Sequence, residues 1–258
     1  MNPVPLFLII VTLALLLGGC GEKKVSLETR EGLVYIKDSN TLYTGTDSVF
    51  YENGQKKAET NFKDGKLDGI AVMWHENGQK KAEGNYKDGK LDGLWVFWHE
   101  NGQKKREVNQ KDGKRHGLIL DWYENGKKSV KGNFKDDKQH GVVMMWYGNG
   151  QKSQEANWKD DKQNGIAVMW HENGQKESEG NWKDGKSIGL HVSWYKNEQK
   201  ESEGNWKDDK PIGLHVSWHE NGQKGIEKNY KDGKLVEGSA KYWNSKGDPV
   251  DSEEEAFK

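Results

Sequence analysis

The chain has 258 residues, with 40 Lys and Arg against 41 Asp and Glu and a formal net charge of −1. Both signs are interleaved, which excludes the basic face that nucleic acid would need. Hydrophobic residues make up only 32%, yet 12 Trp and 32 Gly exclude ordinary disorder, whose segments are poor in aromatics.

Residues 4–17 read Val-Pro-Leu-Phe-Leu-Ile-Ile-Val-Thr-Leu-Ala-Leu-Leu-Leu. This apolar run is short for a membrane span and suits the centre of a secretory signal. Leu17-Gly18-Gly19-Cys20 follows it and resembles the bacterial lipobox. That resemblance implies a signal peptide over residues 1–20 and a lipid on Cys20, which becomes the mature N-terminus. The alternative is an uncleaved anchor or a buried helix. Cys20 is the sole cysteine, so an exported chain carries no disulfide. The expected location is the cell envelope, lipid-anchored, at the outer membrane if the cell is Gram-negative.

Residues 21–50 read as a linker and an atypical N-terminal capping unit, because Gly45 and Phe50 hold the phase of Gly69 and Trp74. From 51 to 247 a 24-residue period governs the chain. Tyr51-Glu52-Asn53-Gly54 recurs as His75-Glu76-Asn77-Gly78, and so on to His219-Glu220-Asn221-Gly222; Tyr195-Lys196-Asn197-Glu198 is a degraded copy. A Trp precedes nearly every copy: Trp74, Trp98, Trp122, Trp146, Trp170, Trp194 and Trp218. Such a period is the mark of units that stack on their neighbours.

Within one unit, residues 69–75 and 80–86 alternate and read as strands, with turns at 76–78 and 87–89. Three-residue loops at both turns would gather Ile70, Val72, Trp74, Ala82 and Tyr86 on one face and set Ala82 opposite Leu94. The expectation is nine-residue strands with three-residue loops: an all-β, elongated, single-sheet antiparallel meander of about sixteen strands. A second aromatic row (Phe62, Tyr86, Phe134, Trp158, Trp182, Trp206 and Tyr230, with Gln110 as the gap) would share the Trp face. Each Trp would be covered by the Lys across its own hairpin, Lys80 for Trp74. Asp137, Asp161 and Asp209 replace the Gly of the second turn, which Asp tolerates. Glu198 replaces the Gly of the first, so that corner should be altered. Residues 241–249 carry a one-residue insertion and a Pro and should close the array. Residues 248–258 read as a frayed acidic tail.

Gly84-Asn85-Tyr86-Lys87-Asp88-Gly89-Lys90-Leu91-Asp92-Gly93 resembles the MORN repeat, and the Glu-Asn-Gly-Gln-Lys half resembles the bacterial MORN-variant family. The resemblance covers about residues 31–247. It implies a scaffold that binds protein partners, and MORN arrays have also been linked to lipid. Members of the variant family are often labelled antitoxins, which implies a chain that neutralises a toxin by direct binding in the cytoplasm. A lipidated leader would place this chain across the membrane from such a target.

No chemistry of its own is legible. His75, His99, His171 and His219 share one slot, but on a meander neighbouring copies lie about 9.6 Å apart, too far to share a metal ion. No Ser/His/Asp set, phosphate loop or dinucleotide fingerprint occurs. The chain reads as a non-enzyme without metal or cofactor. Two slots drift along the array: Lys57, Lys81 and Lys105 become Ser129 and Ser153, then Glu177 and Glu201, while Met73 and Phe97 become Ser193 and Ser217. Drift between duplicated units accounts for this, or else the early units, with Trp95 and Phe97, contact a partner. The candidate partner-binding residues are therefore Trp74, Trp95, Phe97, Trp98, Trp122, Trp146, Trp170, Trp194 and Trp218. The leading expectation is a lipid-anchored envelope scaffold that binds a protein or glycan partner; the alternative is the antitoxin. Dimerisation through the apolar sheet face is another way to cover it.

Overall fold

The computed structural model describes residues 25–258. The leader and the lipidation site expected at Cys20 lie outside the described residues. β1 (Leu27–Arg30) and β2 (Leu33–Ile36) form a separate hairpin. The main sheet begins with β3 (Gly45–Phe50), β4 (Lys56–Lys63), β5 (Lys66–Trp74), β6 (Lys80–Lys87), β7 (Lys90–Trp98) and β8 (Lys104–Lys111). It continues through β9 (Lys114–Trp122), β10 (Lys128–Lys135), β11 (Lys138–Gln139), β12 (Gly141–Trp146), β13 (Lys152–Lys159) and β14 (Lys162–Trp170). β15 (Lys176–Lys183), β16 (Lys186–Trp194), β17 (Lys200–Lys207), β18 (Lys210–Trp218) and β19 (Lys224–Lys231) complete the regular part. β20 (Lys234–Leu235), β21 (Lys241–Trp243) and β22 (Pro249–Val250) close it, and α1 (Glu253–Ala256) follows. Hydrogen-bonded pairing in chain order joins β3 to β22 as 20 strands of one antiparallel sheet.

Each unit consists of a nine-residue strand, a five-residue connection, an eight-residue strand and a two-residue turn. At the first connection, His75 N donates to Gln79 O (2.8 Å) and Gly78 N to His75 O (2.9 Å), enclosing the three-residue loop Glu76-Asn77-Gly78. Gly78 takes φ +83°, the left-handed position such a loop requires. Trp74 then faces Lys80 as expected, but Met73 faces Ala82 and Val72 faces Glu83. Lys81 is left over as a one-residue bulge. That bulge inverts every residue beyond it, because side chains alternate with a period of two.

The second turn also differs from expectation. Lys87 pairs with Lys90 around a two-residue Asp88-Gly89 turn with φ +49° and +80°. This is the mirror-image turn whose twist matches the flanking strands, so it displaces the three-residue loop. A further register shift sets Ala82 opposite Phe97 in place of Leu94. Asp137, Asp161 and Asp209 hold the second turn position at φ +70°, +67° and +64°. Glu198 does the same in the first loop at φ +69°, and its loop keeps the standard bonds, Glu198 N to Tyr195 O at 3.0 Å. The altered corner expected there does not occur. The loop bonds hold the backbone in place, and Gln175 Nε2 donates to Glu198 Oε1 (2.9 Å).

The two bulges change which face is packed. Ala71, Ala82, Trp95, Val108, Ile119 and Phe134 form the core cluster, while Ile70 is 55% exposed. The expected face of Ile70, Val72 and Trp74 is therefore the open one. A Cβ on Gly84 would overlap the Trp95 indole, so the glycine lets that ring lie flat on the strand beside it. The Trp95 Nε1–H then reaches the Asn85 carbonyl at 3.0 Å.

Neighbouring units are stitched by rungs at both ends of the strands. Tyr51 Oη donates to the Trp74 carbonyl (2.7 Å), His75 Nε2 to that of Trp98 (3.0 Å) and His171 Nε2 to that of Trp194 (2.8 Å). Asn77 Nδ2 donates to the Glu100 carbonyl (2.8 Å), and its equivalents repeat the bond. At the opposite end Gly89 N donates to Leu67 O and Gly113 N to Leu91 O, both 2.8 Å. The His and Tyr of the shared slot are thus interchangeable carbonyl partners. Burial first, then nearby carboxylates, raises the phenols of Tyr51, Tyr147 and Tyr195 above their ordinary value.

The C-terminus is docked, which corrects the frayed tail. Ser252 caps α1, Ala256 is buried, and the Phe257 ring lies 5.0 Å from that of His219. Lys228 Nζ donates to Glu253 (2.7 Å), which raises the Lys228 pKa. The insertion is absorbed: His219 Nε2 still reaches a Trp carbonyl, Trp243, at 2.9 Å. Pro249 sits on the last strand of the pairing order, where its missing N–H costs no internal ladder bond.

Candidate functional site

The packed face is filled at one end of the array and hollow at the other. Along it runs the slot of Met73, Phe97, Asp121, Met145, Met169, Ser193 and Ser217, whose cross-strand partners are Ala82, Arg106, Val130, Gln154, Ser178, Ser202 and Ile226. In the early units Phe97 and the ion pair of Arg106 with Asp121 (2.6 and 2.7 Å) occupy this floor. The paired carboxylate raises the Arg106 pKa against the opposing effect of burial. At Ser178, Ser193, Ser202 and Ser217 the same positions are small and hydroxylated, and a hollow of about 500 Å³ opens over β13–β19.

One wall of the hollow is a row of rings. Trp182 and His191 lie 4.7 Å apart edge to face, His191 and Trp206 6.0 Å, Trp206 and His215 5.5 Å, and His215 and Tyr230 4.9 Å. His191 and His215 take the place of Trp95, each lying over a glycine, Gly180 and Gly204, that has no room for a Cβ. They also repeat its hydrogen bond: the Nε2–H groups reach the carbonyls of Asn181 (3.1 Å) and Asn205 (3.0 Å). Ser193 and Ser202 hydroxyls meet at 2.7 Å. Every acid or lysine lining the hollow is already paired: Glu179 with Lys176, Glu203 with Lys200 and Lys228 with Glu253.

The residues singled out from the sequence separate into two groups. Trp95, 2% exposed, belongs to the core and offers a partner nothing; Phe97 packs against the same cluster. Trp74, Trp98, Trp122, Trp146, Trp170, Trp194 and Trp218 are half-buried at the strand ends beside the rung loops. Five of them carry a lysine cover, and it comes from the preceding unit, not from their own hairpin: Lys56 over Trp74 at 5.5 Å, Lys80 over Trp98 at 5.8 Å, Lys176 over Trp194 at 5.7 Å, and likewise at Trp170 and Trp218. The same lysines are fixed by a carboxylate three residues on, as in Lys176–Glu179 (2.6 Å). Sequence reasoning overlooked the hollow because the face it expected to pack, that of Ile70, Val72 and Trp74, leaves out the slot of Ser193 and Ser217. The signal was present in the exchange of Trp95 for His191 and His215 two residues before those serines.

The MORN repeat variant model matches residues 43–64, 67–88, 91–112, 115–136, 139–160 and 163–184, together just over half of the chain. No curated protein matches it. The rungs continue beyond the last matched stretch, through Tyr195 to Trp218 (2.7 Å) and His219 to Trp243.

Proposed function

The chain belongs to the MORN repeat variant family, and from that premise we propose that it is a scaffold without catalysis, lipid-anchored to the cell envelope through Cys20, that binds a protein or glycan partner. One observation supports this above the rest. The rungs are made by side chains at the strand ends and by turn amides, so the faces between them are free to change chemistry without loss of the fold. An array that keeps its rungs and varies its floor, from Phe97 to Ser193, is built for recognition. The anchor rests on the leader sequence, where the only cysteine follows the apolar run.

The test is fractionation of cells expressing the chain and its Cys20→Ser variant, with labelled palmitate as probe. A labelled, membrane-bound wild type beside an unlabelled, mislocalised variant is the expected result. An unlabelled wild type in the cytoplasm would overturn the anchor and favour an antitoxin that binds its toxin directly.

A further inference from the structure

We propose that the hollow over β13–β19 is a binding site for a neutral oligosaccharide, with Trp182, His191, Trp206 and His215 as the wall of rings against which successive sugars pack. The inference deepens the reading of the array as a binding scaffold and rests on it.

The chemistry of the lining selects the ligand class by elimination. An ion has no counter-charge to meet, because Glu179, Glu203 and Lys228 are each held in an ion pair of 2.6–2.7 Å. A purely apolar ligand would cover the side chains of Ser178, Ser217, Gln154 and Gln163, which have no hydrogen-bond partner among the described residues. Burying such groups unpaired forfeits their hydrogen bonds to water with nothing in return. An extended peptide binds sheets by adding a strand at an edge, but here the strand backbones are already paired on both sides and only the sheet face is presented. A sugar satisfies all three constraints. Its axial C–H face is apolar and suits an aromatic ring, its hydroxyls are neutral, and each both donates and accepts.

The geometry agrees. Consecutive rings are separated by 4.7, 6.0, 5.5 and 4.9 Å, close to the step between successive residues of an extended β-linked glycan, and are tilted 54–75° to one another, so the row meets a sugar chain with ring edges and partial faces rather than one flat surface. Beside that row the Ser193–Ser202 hydroxyl pair and the amides of Gln154 and Gln163 supply adaptable donors and acceptors. The volume, about 500 Å³, lies within the usual range of small-ligand sites. The early units lack the site for a definite reason: Trp95, Phe97 and the Arg106–Asp121 pair fill the equivalent space.

The experiment is calorimetric titration of the purified full-length chain with chitotetraose and with cellotetraose. Saturable binding of at least one is expected, tighter than for its disaccharide because more rings of the row are engaged. Trp206→Ala should weaken it about tenfold. The double variant Ser193→Phe with Ser217→Phe should abolish it; Phe97 already occupies this slot in the second full unit, so the array can carry the substitution. An unchanged thermal melt of that variant shows that the fold is kept. Ile70→Ala, on the opposite, open face, should leave binding intact. The assignment fails if neither oligosaccharide binds, if the refilled variant binds as well as wild type, or if only a displayed peptide library yields a ligand that the refilled variant loses. Palmitate labelling of Cys20 is read separately, so a failed titration leaves the anchor standing, and an unlabelled chain that still binds sugar overturns the anchor alone.

Discussion

Two stretches of the same face, the core under β5–β10 and the hollow over β13–β19, share a backbone and differ in their floor. In both, a ring lies over a glycine and donates to the carbonyl of the following asparagine: Trp95 over Gly84 and His191 over Gly180. Around Trp95 the neighbouring positions are Val108, Ile119 and Phe134, and the face is closed. Around His191 they are Ser193, Ser202 and Gly204, and it is open. The comparison teaches that the fold does not depend on a filled face. The rungs and turns carry the repeat, and the early units supply the apolar burial that the later ones have given up.

The largest expected effect tests this division. Trp95→Ala should destabilise the protein by about 3–5 kcal/mol, the cost of emptying a large core site; His191→Ala, in the equivalent position, should cost far less. Equal losses in chemical denaturation would refute the distinction between a core end and a site end. Next comes Asp121→Ala, which strands the Arg106 guanidinium on the packed face. A loss of about 2 kcal/mol is expected, in the range for hydrogen bonds to charged groups.

Smaller changes probe what the two stretches have in common. Removing a single rung with His75→Ala should cost about 1 kcal/mol, and His171→Ala should cost the same, since the rungs do not distinguish the halves. Glu198→Gly should stabilise by about 1 kcal/mol, because it relieves a left-handed residue that is not glycine. An unchanged melting temperature would mean that the Gln175 contact repays the whole strain.

The pH dependence is the finest comparison, between rungs made by Tyr and those made by His. The phenols of Tyr51, Tyr147 and Tyr195 are raised in the folded chain by burial. Their contribution is therefore complete below the ordinary phenol range and is lost as pH rises through the raised values. Converting all three to His, the residue neighbouring rungs already use, should flatten the fall of the melting temperature between neutral and strongly alkaline solution. At the C-terminal closure, hydrogen bonds from Lys224 and Lys241 lower the Glu227 pKa. That stabilisation holds above the ordinary carboxylate range and is lost as pH falls through the lowered value. Hydrogen exchange should therefore report β21 loosening in acid before β5.

Much of the fold was legible in the chain because a 24-residue period leaves few choices. The strand pairs, the antiparallel meander, the Glu-Asn-Gly loop with its left-handed glycine and the pairing of Gly45 to Phe50 with the next strand all follow from local patterns of turn and alternation. Ser193 and Ser217 were also noticed as a departure from Met73 and Phe97. What counting could not reach was the face. It favoured large aliphatics, and so chose Ile70 and Leu94, which the structure leaves exposed.

By itself, then, the sequence determined the period, the order of strands and the residues that make each turn, since those depend on neighbours a few positions apart. Only the tertiary structure decided which side is packed and where it stays empty. A single extra residue, Lys81, shifts the ladder by one and turns the strand over. The same shift recurs along the array, with Trp98 facing Lys104 and Trp170 facing Lys176. How the turned-over face then fills, as where Trp95 lies over Gly84, is a matter of volume between residues on different strands, which a pattern of alternation does not encode.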